Sequence, residues 1–360
     1  MGYAQIFGVD YSETFAPVAR LDTIRLLITV FAQRGWKVHQ MDVKSAFLNG
    51  ILEEEIYVEQ PEGFVIDGKE DKITGSSEKL IDEFKQDMMQ AFEMSDLGLM
   101  TYFLGMEITQ GKDEFFVCQK KYAKEILKKF KMDNCKEIST PMNQKEKLSK
   151  DDGAEKVDET YFRNFIGCLL YLTATRPDIL YAVSVLSRFM HCPSEVHLQA
   201  TKIVVRYIRG TITYGVKFQK SQPVKLCGYS DSDWGSSEDD AKSTSGYCFS
   251  LGSRIFSWSC KKQDIVAQST TKAEFVAAAA AVNQALWLKK ILVDLHMEPT
   301  GRFKVFVDNE AAIAISHNPV FHGRTKHFKI KFFFLREVPK KWRYNSCLLQ
   351  DGRTIGWYIH

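Results

Sequence analysis

Apolar residues recur at helical spacing over 22–34, "DTIRLLITVFAQR", and Asp22 stands where an N-cap is expected. The next run, "WKVHQMDVKSAFLNG" (36–50), predicts a strand that ends near Asp42 and a turn closed by Asn49-Gly50. "EEEIYVEQPEGF" (53–64) predicts a short strand stopped by Pro61, with a polar loop after it. Over 78–94 the pattern is helical again, with Leu80, Ile81, Phe84, Met88 and Phe92 on one face. "LMTYFLGMEITQ" and "EFFVCQ" predict a strand pair across "GKDE", and "KKYAKEILKKFKM" a basic amphipathic helix. Residues 143–158 are rich in Lys, Asp and Glu and predict a solvated linker, ahead of a helical region over 159–210.

From residue 224 the pattern changes. "VKLCGYSDSDW", "SGYCFSLGS" and "RIFSWSCKKQ" predict three consecutive strands, and "TTKAEFVAAAAAVNQALWLKKILVDL" a long alanine-rich helix. "FKVFVDN" predicts a further strand and "EAAIAISH" a short helix. The order β-β-β-α-β-α defines a mixed unit of about 100 residues, an ordinary domain size.

Composition narrows this only a little. The chain has 360 residues, 45% hydrophobic and 26% charged, a globular mixture long enough for two or three domains. A net charge of +3 excludes a bulk polycation, so nucleic-acid binding would need local basic faces. The eight cysteines form no C-x-x-C pair and no zinc spacing, and predict free thiols in a reducing compartment. No signal peptide and no apolar run long enough for a bilayer stands out, so the expected setting is intracellular, cytoplasmic or nuclear.

The candidate chemistry lies in "GYSDSDWGSS" (228–237), where acids follow an apolar run that predicts a buried strand. Buried charges need a partner or a metal. Three acids of the second unit fall where elements end: Asp231 in the first strand, Glu274 in the first turns of the long helix, and Asp308 closing the fourth strand. Converging carboxylates repel one another unless a cation joins them, and Mg²⁺ suits such a donor set. Asp233 is expected to be a supporting or surface residue, and Lys272, near Glu274, to face solvent. For each acid taken alone, a capping or surface role remains the alternative.

Ten motifs, in order, then carry a resemblance. They are "DYSETFAPVAR" (10–20), "MDVKSAFLNG" (41–50), "YVEQPEGF" (57–64), "YFLGMEI" (102–108), "STPM" (139–142), "GCLLYLTATRPDI" (167–179), "GYSDSDW" (228–234), "KSTSGYCFSLG" (242–252), "WSCKKQ" (258–263) and "NPVFHGRTKH" (318–327). Over nearly its whole length the chain resembles the copia-type retrotransposon Pol polyprotein. The resemblance implies a fold that is α/β and α+β, with a reverse-transcriptase palm remnant followed by a ribonuclease H-like mixed-sheet domain. It implies truncated reverse transcriptase over 1–110, a connecting region over 111–220, and the ribonuclease H-like domain over 221–337. By this resemblance Asp231, Glu274 and Asp308 are metal-binding, catalytic acids that would hold two Mg²⁺ ions, and Asp42 is the first polymerase aspartate. The implied partner is an RNA–DNA hybrid or another nucleic acid, with no membrane and no small-molecule cofactor.

The chain also departs from the family. No Tyr-Val-Asp-Asp hairpin or other paired-aspartate hairpin occurs in the first 110 residues, and "PEGFVIDGKEDK" runs almost directly into "ITGSSEKLIDEFK". An internal deletion with its junction near Lys72-Ile73 is expected, which takes away two of three polymerase carboxylates and the strand beside Asp42. One acid cannot hold two metal ions for in-line attack, so polymerase activity is expected to be absent. An upstream fingers segment is expected to be missing as well. The tail over 338–360 is expected to be frameshifted, with the family's last strand and fourth acid lost. "FKIKFFFLRE" (328–337) predicts an amphipathic element, with phosphate contact as its alternative, and His327 a structural histidine. Two functions remain open from sequence: a residual ribonuclease H, or a decayed, non-catalytic product that binds nucleic acid weakly.

Overall fold

A left-handed glycine ends the first helix. Gly35 (φ 69°) lets its N–H turn back to the carbonyls of Ala32 and Phe31, closing α1, Leu21–Arg34. The computed structural model describes residues 20–43, 78–143, 147–220, 225–252, 254–297, 303–317 and 344–348. The expected strand over 53–64, the junction near 72–73, His327 and the stretch 328–337 lie outside the described residues. Asp22 is not the N-cap of α1. Arg20 holds that position, and Asp22 sits inside the first turn, accepting from Arg25 Nη2 at 2.7 Å.

The elements run β1 (His39–Val43), α2 (Glu78–Ala91), β2 (Met94–Leu99), β3 (Tyr102–Phe103), β4 (Met106–Gln110), β5 (Glu114–Cys118) and α3 (Lys120–Lys129). Then follow α4 (Glu159–Leu172), α5 (Leu180–Leu186), α6 (Glu195–Gly210), β6 (Gly215–Gln219), β7 (Leu226–Ser232), β8 (Thr244–Leu251) and β9 (Arg254–Lys262). The last are α7 (Thr270–Asp294), β10 (Phe303–Val307), α8 (Glu310–His317) and β11 (Tyr344–Leu348).

Among the described residues these strands form three sheets. β1 and β2 form an antiparallel pair, β3-β4-β5-β6 a four-stranded sheet, and β11-β10-β7-β8-β9 a five-stranded sheet. In the last, β7, β8 and β9 are antiparallel, whereas β10 and β11 run parallel to β7. This is the mixed ribonuclease H-like sheet expected from the resemblance, and α7 lies against β7 and β8.

Four local expectations are corrected. α2 stops at Ala91 rather than 94, and Phe92 is exposed, because Met94–Leu99 is drawn into β2. β2 takes the place beside Asp42 that sequence left empty, with Asp42 opposite Ser95. Residues 147–158 are not a free linker: Ser149 Oγ and the Lys150 N–H both donate to Asp239 at 2.9 Å, and Leu148 is buried. Most consequential, the expected loss of the last strand is overturned by β11, which pairs parallel with β10 from Phe303↔Tyr344 to Val307↔Leu348. Strand pairing uses main-chain groups common to all residues but proline, so an unfamiliar sequence can still complete a sheet.

The described residues form two apolar clusters. One joins Leu26, Ile28 and Val30 of α1 with Phe115, Phe218, Phe249, Phe256, Phe275 and Val305 from the sheets and α7. The other lies among α3, α4, α5 and α6 around Phe162, Phe165, Leu169 and Val204. α7 also corrects the expectation that no run suits a bilayer. By length and composition it is apolar enough to cross one, but half of the qualifying window is buried inside this fold.

Candidate metal centre

β7 alternates, burying Leu226, Gly228 and Ser230, and brings Asp231 to its exposed end. Opposite it on β8 stands Gly246, which places no side chain beside the carboxylate. β10 runs parallel to β7 with Val307 paired to Ser230, so the next residue, Asp308, emerges alongside Asp231. Ser269 caps α7 by accepting from the Lys272 N–H, and the first turns of that helix carry Glu274 beneath the same strand ends. Ligand oxygens of Asp231, Glu274 and Asp308 all lie within 4.8 Å of one another. Among the described residues no other three acids, histidines or cysteines converge in this way.

The electrostatics are those of an uncompensated group. Glu274 is only 5% exposed. Its Oε1 accepts the Ser232 N–H at 2.9 Å, while Oε2 is buried with no hydrogen-bond partner. Burial first, then repulsion from Asp308 and Asp231, pushes its pKa up to about 8, against the pull of the Ser232 N–H. Burial and the Asp308 charge raise Asp231 as well. An orphaned buried carboxylate oxygen among hard oxygen donors fits a divalent cation, which would reverse both shifts.

The other sequence candidates fall elsewhere. Asp233 Oδ1 accepts the Thr244 N–H at 2.8 Å and its Oδ2 accepts Ser236 Oγ at 2.7 Å, so it shapes the turn after β7. Lys272 Nζ donates to Gln268 Oε1 at 2.5 Å, one turn back along the chain. Asp42 is exposed on β1, and no described cluster includes it. Sequence reasoning passed over Ser232 and Gln263. Gln263 ends the quoted "WSCKKQ" motif, and that placement was the available signal.

Fold and site together define a mixed-sheet protein with a three-carboxylate centre at its strand ends. A family profile described as reverse transcriptase (RNA-dependent DNA polymerase) matches residues 1–75 and 71–144. The chain is 33% identical over 395 residues to the retrovirus-related Pol polyprotein from transposon RE1 of Arabidopsis thaliana, covering 93% of this chain and 27% of the relative. Among solved structures it is similar to a foamy viral protease-reverse transcriptase in complex with dsDNA (TM-score 0.45, 11% identity, 75% of this chain and 50% of that one). It is similar also to LC11-RNase H1 isolated from compost (TM-score 0.27, 15% identity, 35% and 84%). The chain belongs to the family of copia-type retrotransposon Pol polyproteins, and it spans about a quarter of the length of the curated relative it matches.

Proposed function

We propose that the mixed-sheet domain of this chain cleaves the RNA strand of RNA–DNA hybrids, and that its polymerase portion is inactive. The observation that carries this reading is the convergence of Asp231, Glu274 and Asp308 within 4.8 Å. These three would hold Mg²⁺, as two ions, which when bound supply an activated water and stabilisation of the leaving oxygen of a phosphodiester. The chain's own part is positional. The Ser232 N–H fixes one Glu274 oxygen, leaving the other for the metal, and the exposed carboxylates of Asp231 and Asp308 open toward substrate. A hybrid would be recognised by minor-groove shape and 2′-hydroxyls rather than by sequence.

The inactive-polymerase reading is supported by Asp42, which belongs to no group of three metal-ligating side chains among the described residues. The family profile matches in two segments that meet at residues 71–75, which supports an internal deletion near Lys72-Ile73. The rival reading, a decayed non-catalytic product, rests on a missing last strand and a missing fourth acid; β11 fills the strand position, and a fourth acid is not found beside the three among the described residues.

The test uses the whole chain with a labelled RNA–DNA duplex and Mg²⁺, beside Asp231→Asn. Cleavage by the unaltered protein that the substitution abolishes is the expected result. A folded protein that leaves the duplex whole would overturn the reading. A primed template given nucleotides is expected to remain unextended.

A further inference from the structure

Gln263 follows β9 directly, and its backbone N–H donates to Ser243 O at 2.8 Å. Its side chain is 5% exposed. The amide nitrogen lies 2.8 Å from Ser245 Oγ on β8, 3.0 Å from the Ala273 carbonyl on α7 and 3.1 Å from Ser232 Oγ at the end of β7. The nearby carbonyl sets the orientation of the amide, since only the NH₂ end can face Ala273 O. Ser232 Oγ is within donating reach of the carbonyls of Asp233 and Thr244, which leaves its lone pairs for the Gln263 amide.

Two of these three contacts border the acid group. Ser232 is the residue whose N–H holds Glu274 Oε1, and Ala273 is the residue before Glu274. One buried amide therefore ties the end of β7 to the first turn of α7 on both sides of the Glu274 contact. The other end of the amide, Oε1, is buried without a partner, a cost that the three contacts of Nε2 must offset. An orphaned acceptor is destabilising, and a side chain that keeps one is better accounted for by what its other end holds in place.

We propose that Gln263 is a positioning residue that fixes the Glu274 carboxylate for cation binding; this rests on reading the three acids as a metal centre. Partners of this kind around metal ligands orient the ligand, and their loss weakens metal affinity by about ten- to a hundred-fold.

The experiment titrates the full-length chain with Mn²⁺ alone, following the free-ion electron paramagnetic resonance signal, and records the Tm of each protein without metal. Gln263→Met keeps the length of the side chain and removes both the donors and the orphaned acceptor. It is expected to hold its Tm within a few degrees while Mn²⁺ binding weakens by about ten-fold or more. Ser232→Ala, which removes only one of the amide's acceptors, is expected to weaken binding in the same direction by less. Ser245→Ala removes the acceptor that does not border Glu274 and is expected to bind as the unaltered protein does. Unchanged Mn²⁺ binding in both Gln263→Met and Ser232→Ala, beside a loss in Asp231→Asn, would overturn the positioning role and leave the metal centre standing. Absence of Mn²⁺ binding by the unaltered protein would overturn the metal centre and this role together.

Discussion

Glu274 shows how one buried carboxyl links site and stability. Without a cation its pKa is raised from 4.5 to about 8, so the folded chain keeps a proton that the unfolded chain releases. Stability is then fullest below the unfolded value and falls as pH rises toward about 8, at roughly 1 kcal/mol per pH unit through that window. Thermal unfolding in EDTA from pH 5 to pH 8 is expected to show this decline, and Glu274→Gln to flatten it while raising the Tm at the alkaline end. Saturating Mg²⁺ is expected to stabilise the unaltered protein at pH 8 but not the substituted one. Gly228 sets a different limit on the same strand. A Cβ there would meet Phe249 Cε1 at 2.4 Å, in a ring with no exposure. Gly228→Ala is expected to destabilise the chain by about 1–3 kcal/mol in urea unfolding, through overpacking.

Among the elements, α1 is held by one buried arginine. Arg25 is 5% exposed and donates to Phe256 O at 2.7 Å, Ala174 O at 2.9 Å and Asp22 Oδ1 at 2.7 Å, with its guanidinium 3.9 Å over the Trp258 ring. Trp258 in turn donates its indole N–H to Thr173 O. Arg25→Met would strand two main-chain carbonyls and leave Asp22 with only its longer contact to Arg20, at 3.7 Å. Equilibrium unfolding is expected to register a loss of roughly 3–5 kcal/mol. The helix itself was legible in "DTIRLLITVFAQR" because its period is local, but its docking depends on a strand far along the chain and leaves no mark in the window. The same contrast separates β7 to β10, whose apolar runs are plain, from β2, β6 and β11. "MSDLGL", "GVKFQ" and "YNSCL" are short, and each becomes a strand through its pairing. At the site, acids at element ends could be read from order alone. Ser232 and Gln263 could not, since their roles arise from a main-chain N–H and from an amide between three elements.

For the molecule as a whole, the first apolar cluster takes residues from both ends of the chain, with Leu26 and Ile28 beside Phe218, Phe256 and Val305. A fragment starting at residue 220 would keep the three acids yet lose α1 and β6. It is expected to bind a hydrophobic dye and give poorly dispersed NMR spectra, where the full chain does neither. Sharp, dispersed spectra from the fragment would show that α1 is dispensable. Linking such distant residues also bears on synthesis. Arg25 and Phe256 are 231 positions apart. At about 5–20 residues per second, α1 leaves the ribosome roughly ten to fifty seconds before the strand it docks on. For that interval its apolar side chains are without their native neighbours and open to holding chaperones. A pause in translation before β9 would lengthen the exposure and lower the yield of folded protein with no change in sequence.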